Sequence, residues 1–301
     1  MIVLIPEKVT SEKVVASNVP MTDRPEWAVG VSYSIGDQVM VLGSVNLIYE
    51  SVTDANLGND PTLESSSVQW LTIGAINRFR AFDDEVNTIT DNSGKITYTL
   101  APAKLVTAIS FFELSAKTIS VVVKDASLAV TYTNTINLID TSEILTFLDY
   151  IDPIQFMTSA VIDDLVAIPG YTIEITIDAG VGTATVGFIQ VGKRFYVGDS
   201  TIGSGFQLRD FSSITFDEFG SVSIVRRPAT RDLTLVVAVK TKGLGPIQAI
   251  LTDLRAQITT WWSHEDFNQT GTGIVGILSN FSPSFTGGDV SFFTVEIKGI
   301  I

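Results

Sequence analysis

Residues 26–74 begin with Glu26-Trp27-Ala28, continue through Tyr33-Ser34-Ile35-Gly36-Asp37-Gln38-Val39, Tyr49-Glu50-Ser51 and Gly58-Asn59-Asp60-Pro61, and end with Trp70 and Gly74. Large aromatic side chains therefore recur along one short stretch, separated by a Gly-Asp turn and by alternating apolar residues. Such alternation is typical of half-buried strands. A domain of about 50 residues has little else than aromatic rings to fill its core. The stretch therefore predicts a small aromatic β-module over residues 26–75.

The order Trp, Tyr-x-x-Gly-Asp-x-Val, Tyr, Pro, Trp resembles the small chitin- or cellulose-binding module of secreted glycosidases and of many tailed-phage tail proteins. The resemblance implies that Trp27 and Tyr49 line a sugar-binding face, and we add Trp70 as a third glycan-binding candidate. The alternative is that these rings fill the core of the module. Two departures from the family pattern bear on this choice. Segment 41–48 is longer than the usual hairpin, and Glu50 stands beside Tyr49 where a small residue is common.

Composition limits the function classes. The 301 residues are 45% hydrophobic and 17% charged, which indicates a packed globular protein of two or three domains. The net charge of −14 disfavours nucleic acid as a partner, because an acidic surface repels phosphate. The absence of cysteine excludes disulfides and thiolate zinc sites, and a single histidine excludes imidazole-rich metal sites. We therefore expect no metal and no cofactor.

The N-terminus bears on localisation. Residues 1–6 are apolar but lack a basic lead, so they predict a first strand and not a signal peptide. No apolar run reaches the length that a bilayer requires, so membrane insertion is not expected. A sugar-binding-type module without an export signal is unusual for a secreted glycosidase. It is ordinary for a virion protein, which is made in the host cytoplasm and released by lysis.

Residues 76–200 are rich in β-branched residues. They predict strands at 96–100, 106–112, 118–123, 128–133, 171–178 and 184–191. Glycine-containing polar segments at 91–94 and 179–182 predict hairpin turns. The last pair of strands resembles the closing strands of galactose-binding jelly-roll domains. A jelly-roll-like β-sandwich is therefore expected here, reached from the module through the basic-aromatic segment 76–83, for which we predict a linker strand.

Residues 201–301 predict a hairpin at 216–222, strands at 232–240, 273–278 and 290–297, and one amphipathic helix. The helix is expected to begin at Pro246, with Ile247, Ile250, Leu251, Leu254 and Ile258 on one stripe. This block resembles the small barrel-and-helix domains that form rings in phage tails and baseplates. The adjacent residues Trp261 and Trp262 are candidates for an exposed anchor at a subunit contact. Burial of at least one of them beneath the helix is the alternative.

No catalytic arrangement is evident in the sequence. His264 is the single histidine, and no Gly-x-Ser-x-Gly motif accompanies it. Paired carboxylates for glycoside hydrolysis must lie about 5–9 Å apart. The acidic clusters at 83–85 and 163–164 are adjacent residues, which on a strand point to opposite faces. We therefore expect no catalytic residues and no enzyme activity.

Together these patterns predict a mainly β protein with four parts: an N-terminal strand and linker at 1–25, the module at 26–75, the sandwich at 76–200 and a C-terminal α+β assembly domain at 201–301. The expected function is a structural protein of a tailed-bacteriophage virion, at the tail tip, baseplate or collar. Its expected partners are further copies of itself, other tail or baseplate proteins and a host-surface polysaccharide. Two alternatives stay open: a polysaccharide or cell-wall hydrolase with an appended binding module, and an architectural ring protein without sugar binding.

Overall fold

The structure is a computed structural model, which describes residues 1–43, 45–85, 87–140, 155–262, 273–284 and 288–300. His264 lies outside these residues. The predicted fold class is confirmed, because the described chain is mainly β with a single α-helix, α1 (Leu244–Asp253). Within the described ranges, no helix combines the length and the apolar character needed to cross a bilayer.

The strands of the described residues are, in chain order, β1 (Ile2–Pro6), β2 (Val14–Ser17), β3 (Ser32–Tyr33), β4 (Gln38–Val41), β5 (Leu47–Ser51), β6 (Asn56–Leu57), β7 (Trp70–Ala75), β8 (Thr90–Leu100), β9 (Ala108–Phe112), β10 (Thr118–Lys124), β11 (Val130–Asn137), β12 (Ile139–Asp140), β13 (Gln155–Phe156), β14 (Ser159–Ile162), β15 (Thr172–Val186), β16 (Phe188–Tyr196), β17 (Asp199–Ser200), β18 (Gly205–Asp210), β19 (Ser213–Phe216), β20 (Val222–Val225), β21 (Ala229–Lys240), β22 (Ile258–Trp262), β23 (Ile274–Ser284) and β24 (Val290–Gly299).

The chain packs as two compact units. One unit is Glu7–Gly192, and the other combines Met1–Pro6 with Lys193–Ile301. The predicted first strand is confirmed as β1, and it belongs to the unit that contains the C-terminus. The boundaries predicted at residues 25, 75 and 200 stay predictions.

The unit Glu7–Gly192 contains a two-layer β-structure. A five-stranded sheet in the order β11-β10-β15-β8-β2 forms one layer, and strands β14-β9-β16 pair beside one another in the other. One apolar core joins the layers, with Ile96 and Ile175 from the first and Ile109, Phe111 and Ile189 from the second. Alternation of buried and partly buried residues along β10 and the first half of β15 directs one face of the sheet into this core.

The turns predicted at 91–94 and 179–182 are wrong, because β8 and β15 run through both segments. The two strands pair on either side of an irregularity, with Lys95 opposite Asp178 and Ser93 opposite Thr183. Gly94 and Gly180 have φ of +76° and +72° there. Glycine supplies the left-handed conformation of a β-bulge as readily as that of a hairpin turn. The two segments therefore form one bulge between long strands.

Segment 76–83 also differs from its prediction. It forms a 3-10 helix, Asn77–Phe82, in place of a linker strand. Its arginines are held by the surrounding chain: Arg80 forms an ion pair with Asp23 at 3.5 Å, and Arg78 donates to the carbonyl of Val19 at 2.7 Å. These contacts fix the segment directly after the last strand of the module.

In the unit of Met1–Pro6 and Lys193–Ile301, antiparallel strands follow the order β1-β22-β23-β24-β21-β17, with β18 also paired to β21. Helix α1 begins at Leu244, two residues before the predicted start, so Pro246 lies in its first turn as expected. Its buried stripe is Leu244, Ile247 and Leu251, continued by Leu254 at the C-cap. The prediction that Ile258 extends this stripe is wrong, because Ile258 begins β22.

Candidate functional site

The module residues form a three-stranded antiparallel sheet, β4-β5-β7, and a short ladder of β3 with β6. The Gly36-Asp37 step is the predicted turn. Asp37 accepts a hydrogen bond from the backbone N–H of Ser34 at 2.7 Å, and Gly36 has φ of +87° and donates its N–H to the carbonyl of Ser51 at 2.8 Å. An aspartate that caps backbone amides beside a left-handed glycine stabilises a tight turn. This step has a structural role.

The two faces of the three-stranded sheet carry different cores. Val39 and Tyr49 pair across β4 and β5 and lie in one cluster with Tyr33 and Trp70. The pair Met40 and Ile48 points to the other face and packs with Ile76, Phe79 and Met21. The aromatic rings of the predicted glycan site therefore gather on one face of the sheet.

Tyr49 and Trp70 are core residues of this aromatic cluster. They are 6% and 4% exposed, and the indole N–H of Trp70 donates to the carbonyl of Asn59 at 2.9 Å. Tyr33 meets Trp70 edge to face, with ring centroids 5.3 Å apart. Burial, followed by the charge of Asp60, raises the pKa of the Tyr49 hydroxyl above its ordinary value. Neither ring presents a free face to solvent, so the structure favours the core alternative for both.

Trp27 differs from the other rings of the cluster. It packs against the cluster but is only partly buried. Its backbone is fixed beside β4, because its N–H donates to the carbonyl of Met40 at 2.9 Å and Met40 donates to the carbonyl of Pro25 at 2.9 Å. Its indole Nε1 is itself buried and has no acceptor in the protein, so the exposed part of the side chain is the ring and not its donor. A rigid backbone and a supported, partly exposed ring are the properties that stacking on a sugar requires.

Sequence reasoning missed a cleft in the unit Glu7–Gly192. It has a volume of about 650 Å³ and is lined by the apolar residues Ile48, Ile73 and Ile89 and by polar residues that include Arg80, Asn87 and Asp91. Arg80 donates to the carbonyls of Ala75 and Ile89 at 3.3 and 3.5 Å, so part of its guanidinium is already engaged. The cleft lies on the face of Ile48, opposite the aromatic cluster. Its residues come from segments far apart in sequence, and no local pattern marks them.

The acidic cluster 83–85 lies in a turn and not on a strand. Asp83 accepts hydrogen bonds from the backbone N–H of Glu85 at 2.9 Å and from the hydroxyl of Thr88 at 3.1 Å. Burial raises the pKa of Asp83 from 3.8 to about 6, with smaller contributions from the charges of Glu85 and Asp84, although these hydrogen bonds oppose the rise. The Asp83 carboxylate therefore stabilises the turn in which it lies by accepting these hydrogen bonds. Burial makes its ionised form less favourable in the folded than in the unfolded protein.

The substitution Asp83→Asn tests this assignment. A carboxyl whose folded pKa is raised binds more protons in the folded than in the unfolded state between pH 3.8 and about 6. Its contribution to the free energy of unfolding therefore falls as pH rises through that window. Because asparagine never ionises, we expect the variant to gain Tm over the wild type at pH 7 but not at pH 3.5. Thermal unfolding followed by circular dichroism would measure both differences, and an equal difference at the two pH values would contradict the assignment.

Trp261 and Trp262 are both 0% exposed, and the prediction of an exposed anchor is corrected accordingly. Neighbouring residues of a strand point to opposite faces, so both faces of β22 are covered at this point. Trp261 joins the core of α1 with Leu251 and Leu254, and its indole N–H points to the carbonyl of Gly276 at 3.4 Å. Both residues are therefore buried, and packing beneath the helix, the alternative, is confirmed for Trp261.

In the part of the chain that the structure describes, no group of three acidic or histidine side chains is placed to hold a metal ion. No protein-family model matches the sequence, and none of the curated proteins compared with it matches either. A comparison with solved structures finds a crystal structure of a mutant of chitosan-binding module 1, derived from a chitosanase/glucanase of Paenibacillus sp. IK-5. The likeness has a TM-score of 0.26 and 13% sequence identity, and it covers 38% of this chain and 83% of that one. At this TM-score it carries no argument about the fold or the function of this chain.

Proposed function

We propose that the protein is a non-catalytic structural component of a tailed-phage virion, assembled in the host cytoplasm at the tail tip, baseplate or collar. In this role its N-terminal module contacts a polysaccharide of the host surface through Trp27. The proposal rests on the aromatic pattern of residues 26–74 and on the β-sheet that this pattern forms. The observation that carries the glycan part is the partial exposure of Trp27 on a buried aromatic cluster.

The position of Trp27 fits sugar stacking for a physical reason. The apolar face of a sugar ring gains most from a flat side chain that is already held in place, because ordering a mobile side chain on binding costs free energy. Trp27 packs against the buried cluster that contains Tyr33, Tyr49 and Trp70, which holds its side chain in place.

Two observations support the non-catalytic part. The raised pKa of Asp83 arises from burial in its own turn, and its nearest acids, Asp84 and Glu85, belong to the same turn. The cleft of Arg80, Asn87 and Asp91 offers hydrogen-bonding groups but no aromatic ring among its lining residues. Among the described residues of the turn at 83–85 and of the cleft, no two carboxylates from separate segments face each other. The hydrolase alternative would need such a pair.

The substitution Trp27→Ala tests the glycan part. We expect wild-type protein to bind purified host-envelope polysaccharide and the variant to lose at least about tenfold in affinity, which corresponds to about 1.4 kcal/mol. An aromatic contact contributes about 0.5–1.5 kcal/mol in addition to the apolar area that it buries, so a loss of this size is expected when the ring is removed. Binding would be measured by biolayer interferometry on immobilised polysaccharide, together with a panel that includes chitin and cellulose oligosaccharides.

Two matched variants complete the binding experiment. Val68→Ala shortens a side chain of the same module that is already 73% exposed, and it should bind as the wild type does. Ile73→Glu places a charge at the cleft and should also leave binding intact. If Ile73→Glu abolished binding and Trp27→Ala did not, the cleft and not the ring would be the site. Absence of wild-type binding would leave the architectural alternative, and release of reducing sugar would establish the hydrolase.

A further inference from the structure

Strand β11 (Val130–Asn137) is an edge of the five-stranded sheet, because among the described strands it pairs with β10 alone. Their ladder runs from Thr118 opposite Asn137 to Lys124 opposite Val130. The strand at the other edge, β2, has only four residues, whereas β11 has eight. β11 therefore offers the longer free edge of this sheet.

The direction of each backbone group of β11 follows from the bond at the end of its ladder. The N–H of Leu138 donates to the carbonyl of Lys117 at 2.9 Å, so these two residues form a hydrogen-bonded pair. Hydrogen-bonded and non-hydrogen-bonded pairs alternate along an antiparallel ladder. Every second residue counted back from Leu138 therefore bonds to β10. The N–H and C=O groups of the residues between them, Thr133, Thr135 and Asn137, point away from β10.

These three edge residues, Thr133, Thr135 and Asn137, have exposed side chains. Among the described residues, no backbone hydrogen bond from another part of the chain reaches them. Proteins usually protect a free strand edge with charge, proline or a bulge. The bulge of β11 is confined to Thr131 at one end, and from Tyr132 to Asn137 the strand has no charge, no proline and no bulge. This edge is therefore open to pairing with another strand.

The edge is also uncharged in a strongly acidic protein. The chain has a net charge of −14, but residues 118–137 hold only one lysine and one acid, Lys124 and Asp125. Lys124 forms an ion pair within the same sheet, and Asp125 accepts backbone N–H groups of its own turn. Asp164 accepts the hydroxyl of Tyr132, whose ring packs against the core, so this carboxylate meets β11 from the core side. Two copies can therefore join along this edge without like charges opposite each other.

A second β11 strand fits the edge in geometry as well as in charge. Antiparallel pairing about Asn134 places Thr133 of each copy opposite Thr135 of the other. Both residues direct N–H and C=O outward, so each of these two pairs exchanges two hydrogen bonds. Threonines directly opposite each other also form a stabilising cross-strand pair. The edge is thus complementary to itself.

We propose that β11 pairs with β11 of a second copy of this chain, in an antiparallel two-fold contact that continues the five-stranded sheet across both chains. A contact that uses the same surface on both copies closes at a dimer. The inference deepens the assembly part of the proposed function and rests on it, because it names the surface through which copies of the chain meet. It does not depend on glycan binding by the module.

The test measures the mass of the full-length protein by light scattering after gel filtration, at concentrations up to about 100 μM. We expect wild-type protein to shift from one to two 32.5 kDa chains as its concentration rises. The variant Thr133→Lys/Thr135→Lys places lysines opposite each other and should raise the dissociation constant at least about tenfold. Because added lysine reduces the net negative charge, a loss of the dimer cannot come from greater overall repulsion.

Proline substitution separates the free edge from the paired side of the same strand. Thr133→Pro removes an outward N–H that bonds to nothing within the chain, and proline is tolerated at such edge positions. We expect this variant to keep its circular dichroism spectrum and to be monomeric. Asn134→Pro removes an N–H that bonds to β10, so it should lower Tm markedly.

The matched control is Thr99→Lys/Thr176→Lys. It adds the same charge to the same sheet, but on β8 and β15, which are paired on both sides, and it should leave the mass unchanged. Hydrogen exchange supplies a second readout, because the amides of Thr133 and Thr135 should gain protection as the dimer forms. Added salt should not weaken the dimer, since the contact is uncharged and salt screens the repulsion between two acidic chains.

Three results would overturn the proposal. The first is a wild type that stays monomeric at about 100 μM, whatever else then pairs with the edge. The second is a dimer that survives both Thr133→Lys/Thr135→Lys and Thr133→Pro. The third is protection of the Thr133 and Thr135 amides that does not change with concentration. None of these assays contains glycan, so a failure here is distinct from a failure of the module to bind.

Discussion

Trp70→Ala is expected to lower the free energy of unfolding of the module by about 3–5 kcal/mol, the range for removal of a large aromatic side chain from a core. Trp70 is 4% exposed and contacts Tyr33 edge to face. Its indole N–H donates to the carbonyl of Asn59 at 2.9 Å, and alanine would leave that carbonyl without its donor. The cavity and the lost hydrogen bond act in the same direction. We therefore expect the sheet β4-β5-β7 to open at a temperature at which wild-type protein is still folded.

Hydrogen exchange of the backbone amides in β4, β5 and β7 would measure this effect separately from the rest of the chain. Trp70→Phe is the graded control, because it keeps most of the apolar area and loses only the indole donor. It should cost markedly less than alanine. Val68→Ala, at a side chain that is 73% exposed, should stay within about 0.5 kcal/mol of the wild type. If Trp70→Ala kept wild-type amide protection but lost glycan binding, Trp70 would be a glycan-binding residue and not a core residue.

The same ring pattern explains how far the sequence could predict the site. Spacing and residue type placed Trp27, Tyr49 and Trp70 in one module, and the structure brings them to one face of a sheet. Which ring keeps a free surface depends on its neighbours. Trp27 lies on a chain segment that touches β4 through a single isolated bridge at Glu26 and Met40, whereas Tyr49 lies on the central strand β5. An edge segment is covered on fewer sides than a central strand, and no local pattern reveals that difference.

The bulge of β8 and β15 shows a second limit. Gly94 and Gly180 were predicted to mark hairpin turns because glycine and short polar residues adopt left-handed conformations. A β-bulge requires the same left-handed backbone conformation as a hairpin turn. The two differ in whether a partner strand lies opposite the glycine. Here Gly94 lies near Gly180, and the position of a Cβ on Gly94 would be 3.5 Å from the Gly180 carbonyl oxygen. That partner is distant in the chain, so the local signal was correct about backbone conformation and wrong about topology.

Trp261→Ala is expected to have an effect as large as that of Trp70→Ala, but in the other unit. The side chain is 0% exposed and packs with Leu251 and Leu254 behind α1. Its removal should cost about 3–5 kcal/mol of unfolding free energy and loosen the packing of α1 on the strands. A prediction based on residue type placed this tryptophan at a subunit contact, since tryptophan is enriched at interfaces. Because Trp261 is buried within the unit, we expect its substitution to lower the stability of the chain and not to act first on association between chains.

Stability and mass measured on the same samples separate the two roles of Trp261. If Trp261 is a core residue, its removal lowers Tm and exposes the amides of β22 and β23 to exchange. If Trp261 is an interface residue, its removal changes the mass of the assembly and leaves the Tm of the dissociated chain unchanged. Phe219→Ala is the matched control, because it also removes an aromatic ring but at a side chain that is 92% exposed in the turn between β19 and β20. We expect Phe219→Ala to keep the free energy of unfolding within about 0.5 kcal/mol of the wild type, with little change in Tm. If Trp261→Ala behaved in the same way and yielded folded monomers, Trp261 would be an assembly contact and not part of the core.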